Sequence, residues 1–280
     1  MKLPFVKMQA VGNDFVVIDG IKHKGIEWNK LSIDICNRHL GIGSDGLLVL
    51  LSSNRAPIRM LMLNPDGTED MCGNGLRCIA RFAYENGYVT DDRFMVETIK
   101  GIQEVELLDR KDWVVKANLG RPILEPKDIP MLLDFSPIVE IPIEDKIFEA
   151  TVLSLGTPHT VIFMPEIPSD EVFYHYSPLI EKHPFFPNKT NVIWAKKRSD
   201  QEIVIRIWER GEVGETLGCG TGACAVKIAD ILRGSNSNSA RVISKGGILD
   251  IEWKEEVFLS GKVERVFSGS YEKLSEIPIT

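Results

Sequence analysis

Two glycine-framed cysteine turns repeat one another at distant places in this chain of 280 residues: Met71-Cys72-Gly73-Asn74-Gly75 and Gly218-Cys219-Gly220-Thr221-Gly222. Each sets a cysteine directly before an apolar segment with helical spacing. The repetition reaches upstream. Gly12-Asn13-Asp14 feeds Phe15-Val16-Val17-Ile18, and Gly156-Thr157-Pro158-His159 feeds Thr160-Val161-Ile162-Phe163. Each is a glycine turn leading into a β-branched or aromatic strand. Ile58 to Leu63 runs into Asn64-Pro65-Asp66-Gly67, and Ile203 to Trp208 runs into Glu209-Arg210-Gly211, each a strand ending in a polar turn. The order is the same and the spacing nearly so. The chain therefore reads as two copies of one fold, with a period far too long for a solenoid array.

The segment after each cysteine is apolar nearly all round. Leu76, Cys78, Ile79, Ala80, Phe82, Ala83 and Tyr84 precede Gly87; Ala223, Cys224, Ala225, Val226, Ile228, Ala229, Ile231 and Leu232 precede Gly234. Such a helix is buried rather than laid on a surface, and the glycine is its stop signal. Short strand candidates surround both: 93–98, 103–108, 113–118, 192–194, 241–243, 248–253 and 257–263. An amphipathic cover helix is expected from Trp28 to Leu40. The fold class expected is α/β (α+β), in two pseudo-symmetric halves. Each half would be a curved, mostly antiparallel sheet around one buried helix, with the active site in the cleft between them. The boundary is expected near Gly120-Arg121-Pro122, giving halves 1–119 and 120–262, with the last strand-like run (263–280) returning to the first half.

Composition narrows the partners. The net charge is −7, with no basic run or stripe, which speaks against nucleic acid and against an anionic membrane surface. No apolar stretch nears the ~20 residues of a membrane span. Met1-Lys2-Leu3-Pro4-Phe5 runs straight into a strand-like pattern, so no signal peptide is expected. Five cysteines without a compact repeating spacing suit reduced thiols in a cytoplasm. Cys72/Cys78 and Cys219/Cys224 lack the spacing of a structural zinc site, so no metal is expected. Cys36, Cys78 and Cys224 sit within apolar helical patterns and read as inert small hydrophobes. His23, His39, His175 and His183 read as surface or structural residues.

Cysteines at helix starts are biased toward thiolate. Two of them, one from each copy, suit inversion of a carbon centre: one takes a proton from one face and the other gives a proton to the opposite face. A carbanion next to a carboxylate needs somewhere to place its charge. Many enzymes use a pyridoxal electron sink, but no lysine here lies in a Schiff-base context, and no cofactor is expected. Helix starts supply oriented N–H donors instead. Such donors contribute about 2.7–4 kcal/mol each in a dry site, against only ~0.3–2 kcal/mol from the dipole.

On these motifs the chain resembles the diaminopimelate epimerase family over nearly its whole length. The resemblance rests on Gly12-Asn13-Asp14-Phe15, on Asn37-Arg38-His39 with Gly41-Ile42-Gly43, and on Asn64-Pro65-Asp66-Gly67. It rests most specifically on the two cysteine turns and on Glu209-Arg210-Gly211 with Gly214-Glu215-Thr216. It implies a cofactor-independent enzyme that interconverts LL- and meso-2,6-diaminopimelate, serving lysine and cell-wall precursor synthesis. Cys72 and Cys219 would be the acid/base thiols, with His159 and Glu209 supporting them. Asn13, Asn64, Gly73, Asn74, Asn191, Glu209, Arg210, Gly220 and Thr221 would contact the small zwitterionic substrate. The family is commonly homodimeric. Two departures bear on substrate recognition: Thr157 stands where the family often has asparagine, and Gly46 where some members have glutamine. Two other readings remain open at this point. One is a related racemase of proline, hydroxyproline or histidine; the other is a non-enzymatic thiol or metal-binding protein.

Overall fold

The computed structural model describes residues 2–133, 138–211 and 213–272. Strands β2 (Asn13–Asp19) and β3 (Gly46–Leu51) are apolar runs because both their faces are covered. Phe15, Val17, Leu48 and Leu50 pack with Leu76, Ile79 and Ala83 of helix α2 (Gly73–Glu85). The alternate residues Val16, Ile18, Leu47 and Val49 pack on the other face with Ile35 and Cys36 of helix α1 (Trp28–Cys36). The two strands pair in parallel, and parallel strands are characteristically buried on both sides.

The chain divides into two units, one running to Ala117 and resumed from Lys262, the other Asn118–Gly261. The first unit adds β1 (Lys2–Ala10), β4 (Ile58–Leu63), β5 (Glu69–Asp70), β6 (Arg93–Thr98), β7 (Gly101–Asp109), β8 (Val114–Asn118) and β18 (Glu264–Glu272). Its strand order is β18–β1–β2–β3–β4–β6–β7–β8, with β5 paired on β4. Neighbours are antiparallel except β2–β3 and β4–β6.

The second unit contains β9 (Ile138–Ile143), β10 (Lys146–Ser154), β11 (Pro158–Phe163), β12 (Asn191–Ser199), β13 (Glu202–Glu209), β14 (Gly214–Thr216), β15 (Ser239–Ser244), β16 (Gly247–Trp253) and β17 (Val257–Lys262), with helices α3 (Asp170–Glu181) and α4 (Gly220–Leu232). Its order is β9–β10–β11–β12–β13–β15–β16–β17, with β14 on β13, and its parallel pairs are β11–β12 and β13–β15. Strand for strand, the succession of pairing senses is that of the first unit. The protein is thus a mixed α/β, sheet-dominated fold of two pseudo-symmetric halves, each with one buried helix.

Helices α2 and α4 also stop alike. Gly87 (φ 73°) and Gly234 (φ 98°) adopt the left-handed conformation. Tyr88 N then donates to Ala83 O, and Ser235 N to Asp230 O, both at 3.0 Å, closing the last turn.

Several elements depart from expectation. Helix α1 ends at Cys36, not Leu40, because Asn37 turns extended (ψ 122°) and its Oδ1 accepts the N–H groups of His39 and Leu40, each at 2.9 Å. That local bond competes with another helical turn. Helix α3 escaped the sequence reading because Pro178 lies inside it, although Ser169 caps its start by accepting Val172 N. The β9–β10 hairpin also went unread, since its turn uses Glu144 at φ 52° rather than glycine or asparagine. Among the described residues, no helix is long and apolar enough to cross a membrane.

Candidate active site

Each candidate cysteine is an N-cap. Cys72 (φ −132°, ψ 121°) precedes α2 and Cys219 (φ −129°, ψ 116°) precedes α4, in nearly the same backbone conformation. The first intrahelical bonds run from Leu76 N to Cys72 O at 2.8 Å and from Ala223 N to Cys219 O at 2.9 Å. The N–H groups of Gly73, Asn74 and Gly75, and of Gly220, Thr221 and Gly222, therefore have no partner within their helices. Neither helix start is capped by a side-chain hydrogen bond from its N-cap cysteine. Each first turn thus presents a cradle of donors suited to an anion, beside a half-buried sulfur.

In the first unit a polar chain converges on Cys72. Its Sγ donates to Asn13 Oδ1 at 3.4 Å, and Asn74 Nδ2 donates to the same oxygen at 3.3 Å. Asn74 Oδ1 in turn accepts Arg77 Nη2 at 2.6 Å. On the other side of Asn13, Nδ2 donates to Asp45 Oδ2 at 2.8 Å. Arg38 Nη2 donates to Asp45 Oδ1 at 2.7 Å and to Asp14 Oδ1 at 2.9 Å. Lys7 pairs with Asp14 as well. Burial pushes the Asp14 carboxyl up, but Arg38 and Lys7 outweigh it and hold it below the usual range. Asn64 sits in the β4–β5 turn, where Nδ2 donates to Thr68 Oγ1 at 3.0 Å.

In the second unit His159 is fully buried on β11 beside Asn191 on β12, its register partner. Asn191 Oδ1 accepts Arg210 N at 2.9 Å, which leaves its Nδ2 to donate to His159 Nδ1 at 3.3 Å. That assignment puts the imidazole proton on Nε2, which is buried with no hydrogen-bond partner. Burial first, then the positive charge of Arg210, lowers the His159 pKa to about 3, so the ring is neutral. The Glu209-Arg210-Gly211 turn is held from three sides. Glu181 of α3 accepts Gly211 N and Trp208 Nε1, each at 2.9 Å. Thr216 Oγ1 donates to Glu209 Oε1 at 2.8 Å, and Arg210 Nη1 donates to Asn188 O at 2.8 Å. Cys219 Sγ lies 3.5 Å from Thr221 Oγ1.

The structure thus gathers Asn13, Cys72, Gly73 and Asn74 in one cluster of the first unit. In the second it joins His159, Asn191 and Arg210 by direct bonds, with Glu209 at the end of β13 and Cys219 at the start of α4. Asp45, Arg38 and Glu181 were not singled out as site residues. Asp45 is legible afterwards as the lone acid between Gly43 and the apolar β3, whereas Glu181 lies in the helix that was missed. Gly46 occupies the register position that Asn191 holds in the second unit, since Phe15 pairs with Gly46 as His159 pairs with Asn191. A Cβ at Gly46 would meet Leu63 O and Met62 Cε at 3.0 Å, so a side chain there requires the Leu63 carbonyl to give by a few tenths of an ångström. Burial raises the Cys36 thiol and pushes Cys78 up to about 12, so neither is a base near neutrality. Among the described residues no group of three or more histidine, cysteine or acidic side chains could hold a metal.

Comparison with known proteins gives a consistent result. A protein-family profile described as diaminopimelate epimerase matches residues 5–125 and 151–266. A diaminopimelate epimerase of Pelotomaculum thermopropionicum is 43% identical over 277 residues, spanning 95% of this chain and 98% of the relative. One from Methanococcus maripaludis is 39% identical over 278 residues, spanning 95% and 99%. Among solved structures, a probable proline racemase from Agrobacterium radiobacter K84 with bound carbonate superimposes with a TM-score of 0.73 at 14% identity, over 99% of this chain and 94% of that one. A hydroxyproline epimerase from Agrobacterium vitis gives 0.71 at 13% identity, over 96% and 92%. At such identities these two likenesses show the fold alone.

Proposed function

Because the chain belongs to the diaminopimelate epimerase family, we propose that it is an isomerase that interconverts LL- and meso-2,6-diaminopimelate, with Cys72 and Cys219 as its two acid/base groups. The observation that carries this reading is the pair of helix starts with cysteine at the N-cap position, alike in backbone angles and in lacking a side-chain cap bond. One sulfur, as thiolate, takes the α-proton. The electron pair of the broken C–H bond flows into the adjacent carboxylate, and the other sulfur, as thiol, delivers a proton to the opposite face. The substrate leaves inverted and the thiols exchange protonation states.

Charge developing on the carboxylate is met by the first-turn N–H groups of Gly73, Asn74, Gly220 and Thr221. Each such oriented donor stabilises an oxyanion by about 2.7–4 kcal/mol in a dry site. The distal end of the substrate is a second zwitterion. Arg210 suits its carboxylate, bidentately, and Glu209 accepts from its ammonium. Asn13, Asn64 and Asn191 complete the polar contacts. His159, neutral and with a buried Nε2–H, supports the site as a hydrogen-bond donor and not as a charge. We place the enzyme in the cytoplasm, as a homodimer, in lysine and cell-wall precursor synthesis. Sedimentation at micromolar concentration, giving twice the chain mass, tests the dimer.

Incubation of LL- and meso-diaminopimelate in deuterated water tests the reaction. Each isomer should convert to the other with deuterium at the inverted carbon. Cys72→Ala and Cys219→Ala should each abolish epimerisation without changing the circular dichroism spectrum. Exchange on proline or histidine in place of diaminopimelate refutes the substrate, and near wild-type turnover by either variant refutes the two-thiol assignment.

A further inference from the structure

We propose that Asp45, backed by Arg38, is a positioning residue that fixes the Asn13 amide so that Cys72 rests as the protonated member of the thiol pair. The inference rests on the reading of Cys72 as an acid/base group and assigns that group its resting state. An ionised carboxylate only accepts hydrogen bonds, so the edge of the Asn13 amide that meets Asp45 Oδ2 at 2.8 Å is its NH2. The opposite edge is then the carbonyl. That carbonyl faces Cys72 Sγ at 3.4 Å, where a thiol donates and a thiolate meets a second acceptor. Asn74 is oriented by the same logic from its other end. The guanidinium of Arg77 only donates, so it takes Asn74 Oδ1 at 2.6 Å and turns Nδ2 toward Asn13. The amides are thus fixed from an anion at one end and a cation at the other, with the Cys72 proton in between.

Asp45 is itself anchored. Its Oδ2 also accepts Asp14 N at 3.1 Å, and Arg38 bridges its Oδ1 to Asp14. The charged or titratable groups facing Asp45 are Arg38, Asp14, the Cys36 thiol and, through Asp14, Lys7 of β1; on the Cys72 side, α2 contributes the Cys78 thiol, which feels Cys72 electrostatically, and Arg77, which holds Asn74. The second unit does not repeat the arrangement. By β2–β3 and β11–β12 register, its positions for Asp45 and Asn13 are Thr190 and Thr157, neither of them ionisable. The two cysteines therefore share a backbone conformation, but the carboxylate-held amide stands only on the Cys72 side of this register.

The test is site-resolved alkylation with iodoacetamide across pH, read by mass spectrometry at Cys72 and Cys219 separately in the full-length protein. In Asp45→Asn the amide lock is lost. Cys72 should then alkylate about five- to tenfold faster at a fixed pH below its midpoint, the size of one neutral hydrogen bond expressed as thiolate fraction. Cys219 should keep its wild-type profile. Asn13→Ala, which removes the acceptor itself, should move Cys72 the same way, and the double variant should add nothing. With its side chain 41% exposed, Asp45 can be replaced without disturbing the core, and circular dichroism checks the fold. An unchanged Cys72 profile in Asp45→Asn overturns the proposal, whether or not Asn13→Ala shifts it. Because alkylation is read without turnover, failure of the two-thiol mechanism is distinguishable. In that case Cys72→Ala retains activity while the Asp45 effect on Cys72 persists.

Discussion

Gly75 and Gly222 stand three residues after their cysteines, in matching first turns, yet a methyl group added at each meets different atoms. At Gly222 the new Cβ would lie 2.8 Å from Ile193 Cδ1, 3.2 Å from Cys219 Cβ and 3.3 Å from Cys219 Sγ. At Gly75 it would lie 2.9 Å from Leu48 Cδ2 and 3.6 Å from Cys72 Cβ, an ordinary contact. Both substitutions gain about 0.8–1 kcal/mol of helix propensity, and both cost about 1–3 kcal/mol of overpacking against the end of an aliphatic side chain. Their stabilities should therefore fall together, by about 0–2 kcal/mol in urea titrations. Their activities should not. At Gly222 the sulfur itself must give way by a few tenths of an ångström. A 1 Å misplacement of a reacting group costs about a hundredfold, so kcat/KM should drop about three- to tenfold in Gly222→Ala. Gly75→Ala should stay within about twofold of wild type on the same scale. Epimerisation followed by chiral chromatography, alongside the urea titration, provides both numbers. Equal activity losses in the two variants, or full activity in Gly222→Ala, would refute the reasoning.

Three further outcomes follow from the charges and hydrogen bonds. His159 stays neutral down to about pH 3 in the fold but takes a proton near 6.5 when unfolded, so the unfolded state binds more protons between those values and stability declines as pH falls through that window. His159→Gln should flatten the pH dependence of Tm there, and no limb of the wild-type rate profile near 6.5 should vanish with it. Glu215, bonded first of all by Arg206 and also by Lys245 and Tyr174, has its pKa lowered from 4.5 to about 2. Its stabilisation is complete above about 4.5 and is lost as pH falls through 2, so Glu215→Gln should lower Tm at neutral pH and bring it closer to wild type near pH 2. Glu181→Gln offers only one acceptor to the two part-buried donors of Trp208 and Gly211, losing one hydrogen bond at a cost of about 1 kcal/mol. Because the loosened turn carries Arg210, KM for diaminopimelate should rise more than kcat falls, as steady-state kinetics will show.

The parts of the fold that could be read from the chain are those with local signals. Both buried helices, their cysteine caps and their glycine stops follow from residue spacing and from positive φ at Gly87 and Gly234. The strands 58–63 and 93–98 have the expected limits because apolar runs there end at turn residues. What escaped lacks such signals. Helix α3 hides behind Pro178, and β9–β10 turns on Glu144 in a conformation that sequence alone would assign to glycine. The extra length of β12, to Ser199, is carried by Lys196, Lys197 and Arg198, whose charges read as loop. The candidate site divides in the same way. Cys72, Cys219 and the Glu209-Arg210 turn announce themselves by repetition. Asp45 and Glu181 act through another residue, and their roles depend on which atom of a neighbour they hold, which no spacing rule encodes.

Strand β18 lies beside β1, pairing Lys2 with Glu272 and Gln9 with Glu264, although the whole second unit intervenes in the chain. On the ribosome, β1 must therefore wait through the synthesis of its entire sister unit before its outer neighbour arrives. The second unit meets no such delay, because β9 and β10 emerge one after the other. Domains generally fold N-terminal first during synthesis, but here the first half is completed only after the second has been made, and the Cys72 half exposes the edge of β1 to stray strand pairing in the interval.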